Sequence, residues 1–127
     1  MSVDIEAVVL WLNRLQEAYS AARQHLTELD SAIGDADHGV NMDRGFTAAR
    51  AAVEAEAPAD IGALLRTVAQ TLIRTVGGAS GPLYGTFFLR ASAAASGKTA
   101  LQAPDVLALF QAGVEGVRQR GKAAAGD

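Results

Sequence analysis

The chain has 127 residues, a net charge of −3, no cysteine, and only four Phe, two Tyr and one Trp. That length sets an expectation of one domain, residues 1–127, able to bury a core unaided. Disulfides and thiolate metal sites are excluded, and without a basic stripe or an aromatic platform nucleic acid is not an expected partner.

Half of the residues are apolar, but many of these are alanine, and runs of β-branched and aromatic residues are scarce. The expected fold class is all-α, an antiparallel up-down helical bundle of about five helices. The opening "MSVDIEAVVLWLNRLQ" places two acids before a short apolar run, whereas a secretion signal needs a basic start. No window reaches the roughly 18 apolar residues of a membrane span. The expected setting is cytoplasmic, with no membrane partner.

The first helix is expected to start near Ser2 or Asp4, either of which can cap free amides. Val8, Trp11, Leu12, Leu15, Ala18, Tyr19 and Ala22 form its apolar stripe, and Trp11 and Tyr19 are expected in the core. The pattern resumes at Leu26 and Leu29 after a kink near Ala22, and Asp30 falls at or just past the end. "SAIGDADHG" reads as a loop. Asp37 is a candidate cap for a second helix over about 38–54, with Val40, Phe46, Ala49 and Val53 inside.

"AEAPAD" breaks the chain at Pro58, and Asp60 can cap a third helix through Ile61, Leu64, Leu65, Val68, Leu72 and Val76. "GGASGPLYG" is a second glycine-rich break, with Ser80 or Gly81 as cap and Pro82 in the first turn. A fourth helix to about Ser96 follows, then the connection "SGKTALQAP". A fifth helix starts at Pro104 or Asp105, with Val106, Leu107, Phe110, Val114 and Val117 expected inside. The closing "RQRGKAAAGD" has a loop composition. Alternating helix directions bring the loop after the first helix and the loop after the third to one end of the bundle.

From Glu28 to Asp43 the chain carries five acids and neither lysine nor arginine. Crowded carboxylates repel unless a cation neutralises them. Asp35 and Asp37 can converge in a loop, and Asp30 can close from the end of the first helix. All-oxygen ligation suits a hard cation such as Mg²⁺ or Ca²⁺. A calcium loop opening at Asp35 fails, because its twelfth position is Phe46 where a glutamate is required. Mg²⁺ shares phosphate oxygens as ligands, and the free amides at the start of the fourth helix can bind phosphate. The same residues also suit a solvated turn with an ordinary cap. His38 and Asn41, one turn apart, present polar groups to a ligand or simply to water. "GGASG" lacks the lysine and spacing of a Walker A loop, and on its own is equally a tight helix connection. Arg44 reads as a surface ion pair with Asp43 or Asp37, and Lys98 and Thr99 as part of a solvated connection at the far end.

Taken together, "LDSAIGDADHGVNMDRGF" and "GGASGPLYGTFF" resemble the nucleotide-binding L subunit of dihydroxyacetone kinase. The resemblance implies a helical barrel that binds ADP or ATP through two Mg²⁺ ions. It assigns the metal to Asp30, Asp35 and Asp37. It assigns nucleotide contacts to His38, Gly39, Val40 and Asn41, to Gly78, Ala79, Ser80 and Gly81, and to Gly121. It names no covalent catalytic residue in this chain. The implied partner is a K subunit that holds dihydroxyacetone covalently; a phosphocarrier M subunit of the sugar phosphotransferase system rephosphorylates the bound ADP in many bacterial systems, and ATP is an exchangeable substrate in others. Family members continue through a "KTM" segment and further helices, so the chain reads as truncated at its C-terminus, with an apolar flank that a homo-oligomer or altered packing would cover. Two other readings are a non-catalytic nucleotide- or partner-binding module and a purely structural helical domain.

Overall fold

The structure is a computed structural model that describes residues 2–33, 38–76 and 80–126, with Tyr19 and residues 22–33, 38–40 and 121–126 described by backbone alone. Five helices carry it: α1 (Ile5–Ile33), α2 (His38–Glu56), α3 (Ile61–Thr75), α4 (Ser80–Ala94) and α5 (Ala103–Gly126). Each packs against the next in sequence. The all-α expectation holds, with one addition. Ser2–Asp4 (β1) and Ala100–Gln102 (β2) pair antiparallel, with Val3 opposite Leu101. The middle residue of each strand turns inward: Leu101 is buried and Val3 packs on the core. Asp4 serves twice, closing the ribbon and capping α1 by accepting from the Ala7 amide at 2.9 Å.

α3 is the centre of the bundle. Ile61, Leu64, Leu65, Val68, Ala69 and Leu72 are all buried, as the apolar periodicity required. Its cap is Asp60, whose Oδ1 accepts from the Ala63 amide at 2.8 Å while the backbone is extended. Asp60→Ala is expected to cost about 1 kcal/mol, read as a lowered urea midpoint at an unchanged slope. Around α3 sit Phe46 and Met42 from α2, Leu12 from α1 and Phe88 from α4, all nearly solvent-free.

The connections fix the directions. The Ile61 amide donates to the Lys98 carbonyl at 2.7 Å, so the start of α3 lies beside the end of α4. A methyl at Gly62 would come within 2.8 Å of Ser96 Cα, so the two backbones nearly touch there. The start of α1, held by β1, and the start of α5, held by β2, share this pole. Lys98 lies here too, paired with Asp105 at 3.3 Å. Asp105 also accepts from the Gln102 amide at 2.9 Å; that bond, with help from Lys98, lowers its carboxyl below the usual aspartate range.

Three expectations about α1 and α5 need correction. The C-terminal segment is not a loop, since α5 runs to Gly126; alanine, glutamine, arginine and lysine favour helix, and one glycine does not outweigh them. The inner face of α5 is not the one with the largest apolar residues. Leu109, Gly113 and Gly116 face inward, and the two glycines meet Phe87, Thr86 and Arg90 of α4, while Leu107, Phe110 and Val114 are exposed. Trp11 is a rim residue, 36% exposed, with its ring 5.9 Å from Phe88 and 6.2 Å from Phe110. These aromatics border an apolar groove of about 490 Å³ between α1, α4 and α5. Among the described residues no helix is long and apolar enough to cross a membrane.

Candidate functional site

The pole opposite β1 and β2 gathers the end of α1, the start of α2, the end of α3 and the start of α4. Asp30 lies in the last turn of α1, and His38 opens α2. Asp35 and Asp37 lie outside the described residues, as do Gly78 and Ala79. Of Asp30, His38, Gly39, Val40 and Gly121 the structure gives the backbone alone. Among the described residues no three acidic or histidine side chains converge as a metal cage.

What the structure resolves here is the packing that holds two helix starts together. Val76 is the pivot. A methyl added at Gly45, in the second turn of α2, would overlap the Val76 side chain. A methyl at Gly81, in the first turn of α4, would overlap the Val76 carbonyl oxygen and come within 3.3 Å of the Leu72 carbonyl. α2 and α4 thus both close on the end of α3, α2 against side chains and α4 against backbone that leaves no room for a methyl. Val76 itself is buried, and its amide donates to the Leu72 carbonyl at 2.9 Å. Ser80 opens α4 half-buried, directly before Gly81. The two loops expected at one end therefore do leave from one end.

The electrostatics of such a pole follow from its helix ends. α2 and α4 bring the positive dipole ends of their first turns, whose amides lack partners within the helix. α1 and α3 present carbonyls and negative ends. Anions are favoured at the first pair and cations at the second, so the pole suits an anion and a cation held side by side.

Side chains on α1 and α2 fix the angle of approach. Ser20 donates a short hydrogen bond to Asp43, to which Thr47 also donates at 3.5 Å. Gln16 bridges to Ser20 at 2.7 Å and accepts from Arg50 at 2.8 Å. The Arg44 Nη2 donates to Asn41 Oδ1 at 3.0 Å and to the Thr75 carbonyl at 3.1 Å; of its two expected partners, Asp37 lies outside the described residues. The i,i+3 spacing of Asn41 and Arg44 was the available sequence signal; the cross-helix contact to α3 had none. Gly121 lies on α5, and the facing of Gly113 to Phe87 and Gly116 to Thr86 carries it toward the level at which α4 begins.

Comparison with known proteins agrees with the two motifs. The chain is 45% identical over its whole length to the PEP-dependent dihydroxyacetone kinase, ADP-binding subunit DhaL, of Escherichia coli (strain K12), and covers 60% of that protein. It is 41% identical over 123 residues to the PTS-dependent dihydroxyacetone kinase, ADP-binding subunit DhaL, of Lactococcus lactis subsp. lactis (strain IL1403), covering 97% of this chain and 62% of that one. Against the Triokinase/FMN cyclase of Homo sapiens the identity is 36% over 121 residues, 94% of this chain and 21% of the human protein. The chain thus spans about 60% of the length of the bacterial subunits it matches. A model of the DAK2 domain matches residues 32–127, so the chain belongs to the DAK2 domain family.

Proposed function

We propose that this chain is the nucleotide-binding part of a dihydroxyacetone kinase, a phosphotransferase, forming one domain over residues 1–127. Asp30, Asp35 and Asp37 would hold two Mg²⁺ ions, and the amides of His38 to Asn41 and of Gly78 to Gly81 would cradle the phosphates of ADP or ATP, with Gly121 beside the nucleotide. The residues suit this group: carboxylates offer hard oxygen donors, and the α4 start offers amides to phosphate. When bound, the metal ions neutralise phosphate charge and polarise the transferring group. The chain's own part is to orient the polyphosphate and to hold the two helix starts at fixed spacing; positioning is most of what phosphoryl transfer asks of a protein.

The observation that supports this most is the packing of Gly45 and Gly81 on Val76, which holds the start of α2 and the start of α4 at one pole. The acceptor of the phosphoryl group would be dihydroxyacetone carried on a partner K subunit in the cytoplasm. Higher identity to subunits named PEP- or PTS-dependent than to the human triokinase favours regeneration of bound nucleotide by a phosphocarrier M subunit. Calorimetry with Mg-ADP tests the first part: saturable binding that EDTA abolishes is expected, and no heat above dilution would sink it. Addition of K subunit and dihydroxyacetone then separates a kinase subunit from a nucleotide-binding module without catalysis, since the module would transfer no phosphate.

A further inference from the structure

Arg44 belongs to neither the metal set nor the phosphate set above, yet one of its nitrogens makes two bonds at the pole. Its Nη2 donates to Asn41 Oδ1, one turn earlier on α2, and to the carbonyl of Thr75, the last residue of α3. A guanidinium offers only hydrogens, so the Asn41 atom facing it must be the oxygen. That settles an amide orientation that geometry alone leaves ambiguous. The planar group then turns both N–H bonds of Asn41 away from the guanidinium. The second bond has its own logic. Thr75 O is among the last carbonyls of α3, which lack partners within the helix and favour a cation. Arg44 is next in sequence to Gly45, which packs against the side chains of Leu72, Thr75 and Val76, so it grips α3 where α2 already lies close.

We infer that Arg44 is a positioning residue of the nucleotide site. It makes Asn41 present N–H groups rather than its oxygen to an anionic ligand, here a nucleoside diphosphate phosphate, and it ties the start of α2 to the end of α3. The inference rests on the nucleotide reading of this pole.

Asn41→Asp is the discriminating variant. An aspartate keeps an acceptor for Arg44 and is favoured near a helix start, while it adds a sixth acid to the run from Glu28 to Asp43, so the two effects on stability oppose each other. It presents oxygen where the ligand needs N–H. Calorimetry should show Mg-ADP binding weakened about tenfold or more, the worth of one hydrogen bond to a charged group, with the thermal midpoint little changed. Arg44→Gln should weaken binding about tenfold in the wild-type background but only about twofold in an Asn41→Ala background, where no amide remains to orient. Arg44→Lys should recover part of the loss. Equal losses in both backgrounds would reduce Arg44 to a structural tie, and wild-type affinity in Arg44→Gln would overturn the inference alone. Wild-type protein that binds no Mg-ADP would overturn the nucleotide reading and this inference with it.

Discussion

Asp37→Asn is expected to weaken Mg-ADP binding by about a hundredfold or more, since even groups that merely support a metal ligand are worth 10- to 100-fold. The variant is chosen because it separates two roles one residue could fill. Asparagine caps a helix about as well as aspartate, so a residue at the threshold of α2 that did no more than cap would be replaced without consequence. As a metal ligand, asparagine brings no charge. At a ligand concentration one hundred times the wild-type Kd, binding should add about 2.7 kcal/mol of stability to the wild type and only about 0.4 to the variant. Without magnesium the order should reverse or vanish, because the substitution removes one of five acids between Glu28 and Asp43 and relieves repulsion. The same pattern is expected of Asp35→Asn. Wild-type affinity in both would return the DADH segment to the status of a solvated turn.

The amphipathic helices were readable because their packing is ordinary. α3 buries the face its periodicity marks, and Asp60 caps it as its position before Ile61 suggests. The ribbon of β1 and β2 was not readable, since three residues with one apolar centre each are too short for an alternating pattern to stand out. The inner face of α5 was misread for a different reason. A sequence pattern marks large apolar residues, but close approach to α4 selects the smallest, so Gly113 and Gly116 lie inside and Phe110 and Val114 outside.

At the candidate site the sequence exposed the chemistry and hid the mechanics. The density of acids and the glycine-rich break were visible as composition. That Gly45 would pack on Val76, or that Arg44 would reach a carbonyl on α3, depends on contacts about 31 residues apart that no local pattern encodes. Motif residues announce what a site can bind, whereas the neighbours that fix their spacing are known only once the helices are packed.

Gly81→Ala is the second large effect, and it tests that mechanical part. The three nearest atoms a methyl there would meet, among the described residues, are backbone: the Val76 carbonyl oxygen and carbon and the Leu72 carbonyl oxygen. None can rotate away, so the start of α4 must move off α3, at an expected cost of about 2 kcal/mol, with about 3 for Gly81→Val. Gly85→Ala, one turn later on the same helix, is the control. Its methyl would meet Cγ1 and Cδ1 of Ile73 and come within 3.3 Å of the Ala69 carbonyl; the half-exposed Ile73 side chain must change rotamer, a cost of about 1 kcal/mol that the helix propensity of alanine offsets. Urea denaturation should therefore show a clear drop in midpoint for Gly81→Ala and little change for Gly85→Ala. Displacing α4 also shifts Ser80 and the amides beside it, so Gly81→Ala should lose Mg-ADP affinity at concentrations of urea far below its unfolding transition, while Gly85→Ala binds as the wild type. Equal stability and equal affinity in the two variants would mean that the contact of Gly81 with Val76 does not set the geometry of the pole.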